Sequence, residues 1–162
     1  MNFTQYSLAC GAFMIFLVGA TSVSAQEQEI SCDDVPRAVH AAFTKAYPKA
    51  TIKGCAKEVE EGKTVYEIAS MERGTGRDVL FRADGMVIVV EETVAAGNVP
   101  DPVRQAVQKM YPDGVITLAE KIMRDATVLY EFRVENRNNL EEIVFDSSGK
   151  EVEHKSGTEV ER

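Results

Sequence analysis

Slid along itself by 64 positions, the chain matches without a gap, and no other feature limits its fold so tightly. Val35-Pro36 falls on Val99-Pro100, Val39 on Val103, Ala42 on Ala106 and Lys45 on Lys109. Tyr47-Pro48 falls on Tyr111-Pro112, Ile52 on Ile116 and Lys57 on Lys121. Tyr66-Glu67 matches Tyr130-Glu131, Arg73 matches Arg137, Phe81 matches Phe145 and Gly85 matches Gly149. A period as long as a small domain points to a tandem duplication and not to a solenoid. A unit of about 60 residues buries only some 60% of its unfolded surface. The two copies are therefore expected to complete each other.

Each copy opens with a helical pattern. Val35, Val39, Ala42, Phe43, Ala46 and Tyr47 recur at helical spacing, as do Val99, Val103, Ala106, Val107, Met110 and Tyr111. Asp34 and Asn98 are good N-cap residues, with Pro36 and Pro100 near the first turn. Pro48 and Pro112 then end the helices. Strands are expected near 51–59, 64–71, 78–83 and 86–92, with counterparts at 115–123, 128–135, 141–146 and 150–154. In Val128 to Glu135, Val128, Tyr130, Phe132 and Val134 point one way, and Leu129, Glu131, Arg133 and Glu135 the other. That alternation marks a sheet with one face packed on the core. The expected fold is α+β: two tandem repeats, each one helix on a four-stranded antiparallel meander, joined edge to edge into one eight-stranded sheet.

The segment before the repeats has a different composition. Residues 1–25 contain no Asp, Glu, Lys or Arg, and Leu8 to Ala20 is an almost unbroken apolar run. The run ends in Thr21-Ser22-Val23-Ser24-Ala25, with small side chains at Val23 and Ala25, and reads as a signal peptide cleaved after Ala25. It is too short for a spanning helix, which needs roughly 20 apolar residues. The chain thus divides into a leader at 1–25, a first repeat at 26–94, a linker at 95–98, a second repeat at 99–154 and a polar tail at 155–162. The reading places the protein in the periplasm or outside the cell, with no stable membrane anchor after cleavage.

All the charge lies beyond the leader, and the net charge is −8. An acidic surface without a basic run repels phosphate backbones, which argues against nucleic-acid binding. Cys32 and Cys55 are spaced wrongly for a redox CxxC and are too few for a zinc site. A helix from Asp34 to Tyr47 rises about 20 Å, and a strand from Lys49 to Cys55 returns about 20 Å. Cys55 thus comes back level with Cys32, and export favours a disulfide between them. Strict alternation would put Cys55 on the face opposite Ile52, so a bulge or local twist is required.

The Val-Pro…Val…Ala…Lys…Tyr-Pro opening, the later Lys, the Tyr-Glu strand and the closing Gly turn resemble the PepSY-like family of exported bacterial proteins. That family is similar in its tandem-repeat fold to the β-lactamase inhibitory protein. The resemblance spans nearly the whole chain after the leader, in both copies. It implies a periplasmic binding module that restrains another exported protein such as a peptidase, and it carries over no catalytic residues.

No nucleophile and oriented base are signalled by the sequence, and no catalytic residue, cofactor or metal ligand is assigned. His40 is placed on the solvent side of the first helix and His154 in the last strand. The acidic clusters Glu58, Glu60, Glu61, Glu91, Glu92 and Glu141, Glu142, Glu151, Glu153 lack EF-hand spacing and read as solvated strand ends. The alternative to a protein partner is a cation or small ligand. By strand parity, the face away from the helices carries Glu67, Met71, Leu80, Arg82, Val87, Val89, Leu129, Glu131, Arg133 and Val144. Apolar patches with charges of both signs suit a protein partner.

Overall fold

The structure, a computed structural model, describes residues 27–159 apart from 61 and 138. The leader expected at 1–25, its cleavage site after Ala25 and the last residues of the expected tail, 160–162, lie outside the described residues. In chain order the elements are β1 (Gln28–Ile30), a 3-10 turn (Cys32–Asp34), α1 (Arg37–Ala46) and β2 (Thr51–Glu60). Next come β3 (Lys63–Glu72), β4 (Thr75–Arg82), β5 (Val87–Thr93), a 3-10 turn (Ala96–Asn98) and α2 (Asp101–Met110). The chain continues with β6 (Val115–Arg124), β7 (Thr127–Asn136), β8 (Asn139–Asp146) and β9 (Glu151–Glu159). All nine strands form one antiparallel sheet whose order follows the sequence, and the class is α+β.

The sheet has one strand more than the eight expected. Gln28–Ile30 is too short to show an alternation, so nothing in its pattern announces a strand. Its place follows from the repeat. Gln28 lies opposite Lys57 as Glu92 lies opposite Lys121, and Glu29 opposite Ala56 as Thr93 opposite Glu120. β1 thus flanks the first half as the end of β5 flanks the second. At the far edge β9 runs to Glu159, beyond the 150–154 expected of it.

Both helices begin later than their sequence signals suggest. Asp34 and Asn98 close 3-10 turns instead of capping helices, and the N-cap positions fall on Pro36 and Pro100, without a side-chain hydrogen bond. Val35 and Val99 are extended because a residue before proline disfavours the α region. His40 is half-buried and turned back onto the preceding 3-10 turn, with Nε2 2.6 Å from the Cys32 carbonyl, so it does not sit out in solvent. Its counterpart Arg104 reaches back similarly, Nη1 donating to the Val99 carbonyl at 3.4 Å.

α1 and α2 pack on the same face of the sheet. Val39 and Phe43 sit against Cys55, Ile68, Val79 and Phe81, and Val103 and Val107 against Phe132, Val134, Ile143 and Phe145. The required bulge is present: the register shifts between Ile52 and Gly54, and Cys55 joins Ile52 on the helix side. Cys55 is bonded there to Cys32, with Cα atoms 5.2 Å apart. The same shift recurs between Ile116 and Leu118, where no cysteine needs it. Replacing both cysteines by serine is expected to cost about 3 kcal/mol on the chain-entropy account of loop closure. Urea unfolding of Cys32→Ser/Cys55→Ser beside the parent measures this, and an unchanged midpoint would contradict it.

The β4–β5 and β8–β9 turns touch the helices through glycine. Gly85 and Gly149 both have positive φ, and a Cβ on Gly85 would stand 2.6 Å from the Ala38 carbonyl oxygen. On Gly149 it would stand 2.5 Å from the Pro102 carbonyl oxygen. Gly62 shares the positive φ but faces open space. Gly62→Ala should therefore lose only the backbone cost of roughly 1–2 kcal/mol. Gly149→Ala should lose a further roughly 1–3 kcal/mol from overpacking against α2. Equal losses in chemical denaturation would show that the helix does not press on the turn.

Candidate binding face of the sheet

On the face opposite α1 and α2, free of helices among the described residues, an apolar row crosses six consecutive strands: Val65, Leu80, Val89, Ile122, Leu129 and Val144, one each from β3 to β8, all buried and packed together. Leu80 lies directly opposite Val89 and Ile122 opposite Leu129, and the remaining neighbours in the row meet diagonally, so the apolar side chains shield one another. The expected face residues therefore separate into two groups. Leu80, Val89, Leu129 and Val144 belong to this buried row, and Glu67 and Glu131 are buried beside it, at 7% and 1% exposure. Met71 and Arg82 are exposed, and Arg133 is half-buried.

Val87 departs from the expectation. The register shifts between Leu80 and Phe81, which sets Val87 opposite the helix-side Phe81, and Ile88 packs against the apolar row instead. A bulge reverses parity from that point on, and alternation read from Val89 backward misses it.

Beside the apolar row runs a band of carboxylates. Asp78 on β4 faces Glu91 on β5, and Glu120 on β6 faces Glu131 on β7. Glu67 on β3 begins the band, since its neighbour Ala69 lies opposite Asp78. Glu91 and Glu120 meet diagonally across the β5–β6 pairing, because Glu91 lies opposite Ile122. Like charges directly opposite are unfavourable, and burial compounds the cost. Burial raises the Glu91 carboxyl to about 9, with Glu120, Glu131, Asp78 and Glu67 adding to the shift. Burial raises Glu131 to about 8, reinforced by Glu120 and Glu142 and opposed by Arg133 and Lys155. Glu120 is raised too, by burial first and Asp78 second. Neither Glu131 carboxylate oxygen has a hydrogen-bond partner, and Arg133 Nε stands 3.9 Å away while donating to Glu142 at 2.9 Å.

The band went unread because an acidic residue in a strand gives no sign of its burial. Glu91 had been grouped with Glu92 as a solvated strand end, yet adjacent residues point to opposite faces. Glu92 is on the helix side, bound by Arg77 Nε at 2.6 Å, and Arg77 lies over the Tyr47 ring at 4.1 Å. Glu58 of the same expected cluster is buried at 6% exposure. In the second half the position of Arg77 is taken by Glu141, held with Tyr111 around His154 Nε2 at 3.2 and 3.1 Å. Among the described residues, no group of three or more His, Cys, Asp or Glu is arranged to hold a metal ion. Nor is any described helix long and apolar enough to cross a membrane.

The raised carboxyls set a pH dependence. A carboxyl with a folded pKa above its unfolded value stabilises the fold fully below the unfolded value, and that contribution is lost as pH rises through the folded value. With Glu91 near 9 and Glu131 near 8, the loss runs from about pH 4.5, the ordinary carboxyl value, to about pH 9. Thermal melts should show a falling Tm from pH 5 to pH 9 and a shallower fall in Glu131→Gln. A Tm that rises over that range, or an identical slope in the variant, contradicts the assignment.

The comparisons with known proteins agree with this architecture. A family model described as “Putative beta-lactamase-inhibitor-like, PepSY-like” matches twice, at residues 21–88 and 72–153. The two matches share 72–88, so the model's unit reaches beyond each 64-residue period. A BLIP-like protein from Bacteroides fragilis superposes with a TM-score of 0.60 at 22% identity, covering 78% of this chain and 89% of that one. A DUF2874 family protein from Bacteroides uniformis gives 0.62 at 21% identity, covering 75% and 88%. A protein from Bacteroides eggerthii described as “putative periplasmic” gives 0.65 at 20% identity, covering 75% and 88%. At these identities the likeness shows the fold. No curated protein matches the chain. The repeated match and the described fold together establish that this chain belongs to the PepSY-like, beta-lactamase-inhibitor-like family.

Proposed function

We propose that this chain is an exported, non-enzymatic binding module that modulates another envelope protein, such as a peptidase, through the helix-free face of its sheet. The observation that carries the reading is the uneven layering of the sheet. Both helices pack on one face, and the other holds a buried apolar row flanked by charged side chains, with no described helix on it. The buried row provides a rigid floor. Met71 and Arg82, which are exposed, and Asp78, Glu91, Glu120, Arg133 and Glu142, which are half-buried, are the side chains a partner would meet. A contact of this kind takes its specificity from charge complementarity and its on-rate from electrostatic steering.

Two comparisons support the reading: the family's inhibitor-like description and the periplasmic description of the Bacteroides eggerthii protein. The apolar run before Ala25 supports export. The division into a leader at 1–25, repeats at 26–94 and 99–154 and a linker at 95–98 belongs to the same proposal, whereas the tail expected at 155–162 begins as the end of β9, which runs to Glu159. No His-based catalytic arrangement is needed: His154 serves Tyr111 and Glu141, and His40 serves the Cys32 carbonyl.

The test compares the parent with Met71→Asp/Arg82→Glu/Glu120→Arg as baits for an envelope extract, after circular dichroism has shown that both are folded. At least one protein should be retained by the parent and lost by the variant. Identical sets of retained proteins would remove the helix-free face as the binding surface.

A further inference from the structure

The sheet ends at β1 on one side and at β9 on the other. Shifted by 64 positions, β9 corresponds to β5 and β2 to β6. The match extends to register. Glu141 lies opposite Ser156 as Arg77 lies opposite Glu92, and Phe145 opposite Glu151 as Phe81 opposite Val87, each after the same shift. β9 therefore presents, on its free edge, the backbone with which β5 holds β6. A second copy of the chain carries the matching acceptor, its β2, which would meet His154 to Gly157 along Ala56 to Val59. That register sets Lys155 opposite Glu58 and Ser156 opposite Lys57, so no like charges face each other. Such a contact is heterologous and repeats without closing.

The acceptor edge is covered by β1, which lies along Cys55 to Lys57 where the end of β5 lies along Glu120 and Lys121 in the second half. Three residue pairs are a weak hold by themselves. Two anchors reinforce it. Ile30 packs against the first-half core, and Cys32, just after the strand, is bonded to Cys55, which faces Ile30 across the ladder. The matched positions in the second half are Ala96 and Ala119, without a bridge. There the flanking strand, β5, is held on its far side by β4. The disulfide thus sits in the half whose flanking strand has no outer neighbour. A strand tethered so closely competes for the edge at an effective concentration that a free second copy does not reach.

We propose that β1 is a plug, pinned by the Cys32–Cys55 bridge, that closes the first-half edge against the β9 strand of a second copy. Freed of the plug, the chain assembles head to tail, each joint copying β5 on β6. Val59 marks where exchange begins. The pairing of β1 stops at Lys57, and Val59 is 55% exposed, whereas its match Met123, paired with Val90 of β5, is half-buried. The inference concerns the strand edges and is independent of the helix-free face as a binding surface.

Gln28→Pro/Glu29→Pro removes backbone donors of the plug at two exposed positions and leaves Ile30 and the bridge in place. In sedimentation velocity the parent should stay one species at every concentration. The proline variant, shown by circular dichroism to be folded, should grow through dimers and trimers as its concentration rises. Ser156→Lys in that variant faces Glu141 within the chain but Lys57 across the joint, and should weaken association roughly five-fold. Adding Lys57→Glu should restore it. A synthetic peptide of residues 151–159 should move the amide resonances of Ala56 to Val59 in the proline variant and stop its growth. A folded proline variant that stays monomeric or stops at a closed dimer, or growth indifferent to the charge at 156, would overturn the proposal. So would a parent that grows as readily as the variant. Should the proline variant not fold, Cys32→Ser/Cys55→Ser carries the same test: it should bind the 151–159 peptide more tightly than the parent does, and equal binding would overturn the plug.

Discussion

Four residue pairs hold the two halves in one sheet: Val90 to Thr93 on β5 against Glu120 to Met123 on β6. Elsewhere in the sheet, β2–β3, β3–β4, β6–β7 and β7–β8 each align eight or nine residues. The central pairing is therefore a short one, and much depends on it. A unit of about 60 residues is marginal alone because it buries too little surface. An exposed strand edge is also a template for unwanted pairing. Joining β5 to β6 covers two such edges at once and carries the apolar row unbroken from β3 to β8. Because β5 closes the first half and flanks the second, the structural unit is longer than the sequence period.

The carboxylate band converges on this junction. Asp78–Glu91 and Glu120–Glu131 are the two facing acid pairs, one on each side of it, and Glu91 and Glu120 meet across it. Moving 64 positions outward from the junction relieves the repulsion. The position matching Glu120 is Ala56, and the position matching Glu91 is Lys155, which faces Glu142. The chain thus keeps its two facing acid pairs on either side of the four-pair junction, and at the matched outer positions Ala56 and Lys155 take the place of two of those acids. Stability alone does not account for that distribution, since each buried acid costs free energy unless it is paired or protonated. The proposed binding role would account for it, because positive charges on a partner would offset the repulsion on binding.

Much of the fold was legible because period-two alternation and the 64-residue repeat constrain each other. Val128 to Glu135 fixed the two faces of β7, and the repeat transferred that assignment to Tyr66 and Glu67. The cysteine pair was legible from lengths, and its parity conflict correctly demanded a bulge near Ile52. What escaped was whatever depends on single backbone irregularities or on depth. The bulge at Leu80–Phe81 moved Val87 to the helix side, and no residue type in that stretch marks it. β1 was hidden by its brevity, and its correspondence to the end of β5 appears only in the strand register. Burial of Glu67, Glu91 and Glu131 could not be inferred because glutamate is usually exposed, and parity assigns a face without saying how deep a side chain lies on it.

Duplication separates what the two halves must share from what each is free to change. In this chain the helix-side cores are alike, with Phe81 matched by Phe145 and Val39 by Val103. The polar positions diverge: Arg77 over Tyr47 becomes Glu141 with His154 and Tyr111, and Ala69 becomes Arg133. Packing requirements act on both copies equally, so a shared core is what stability demands. Changes of charge at matched positions answer to no such demand. They make the two ends of the helix-free face chemically distinct, with Ala69 at the position that Arg133 holds beside Glu131 and Glu142.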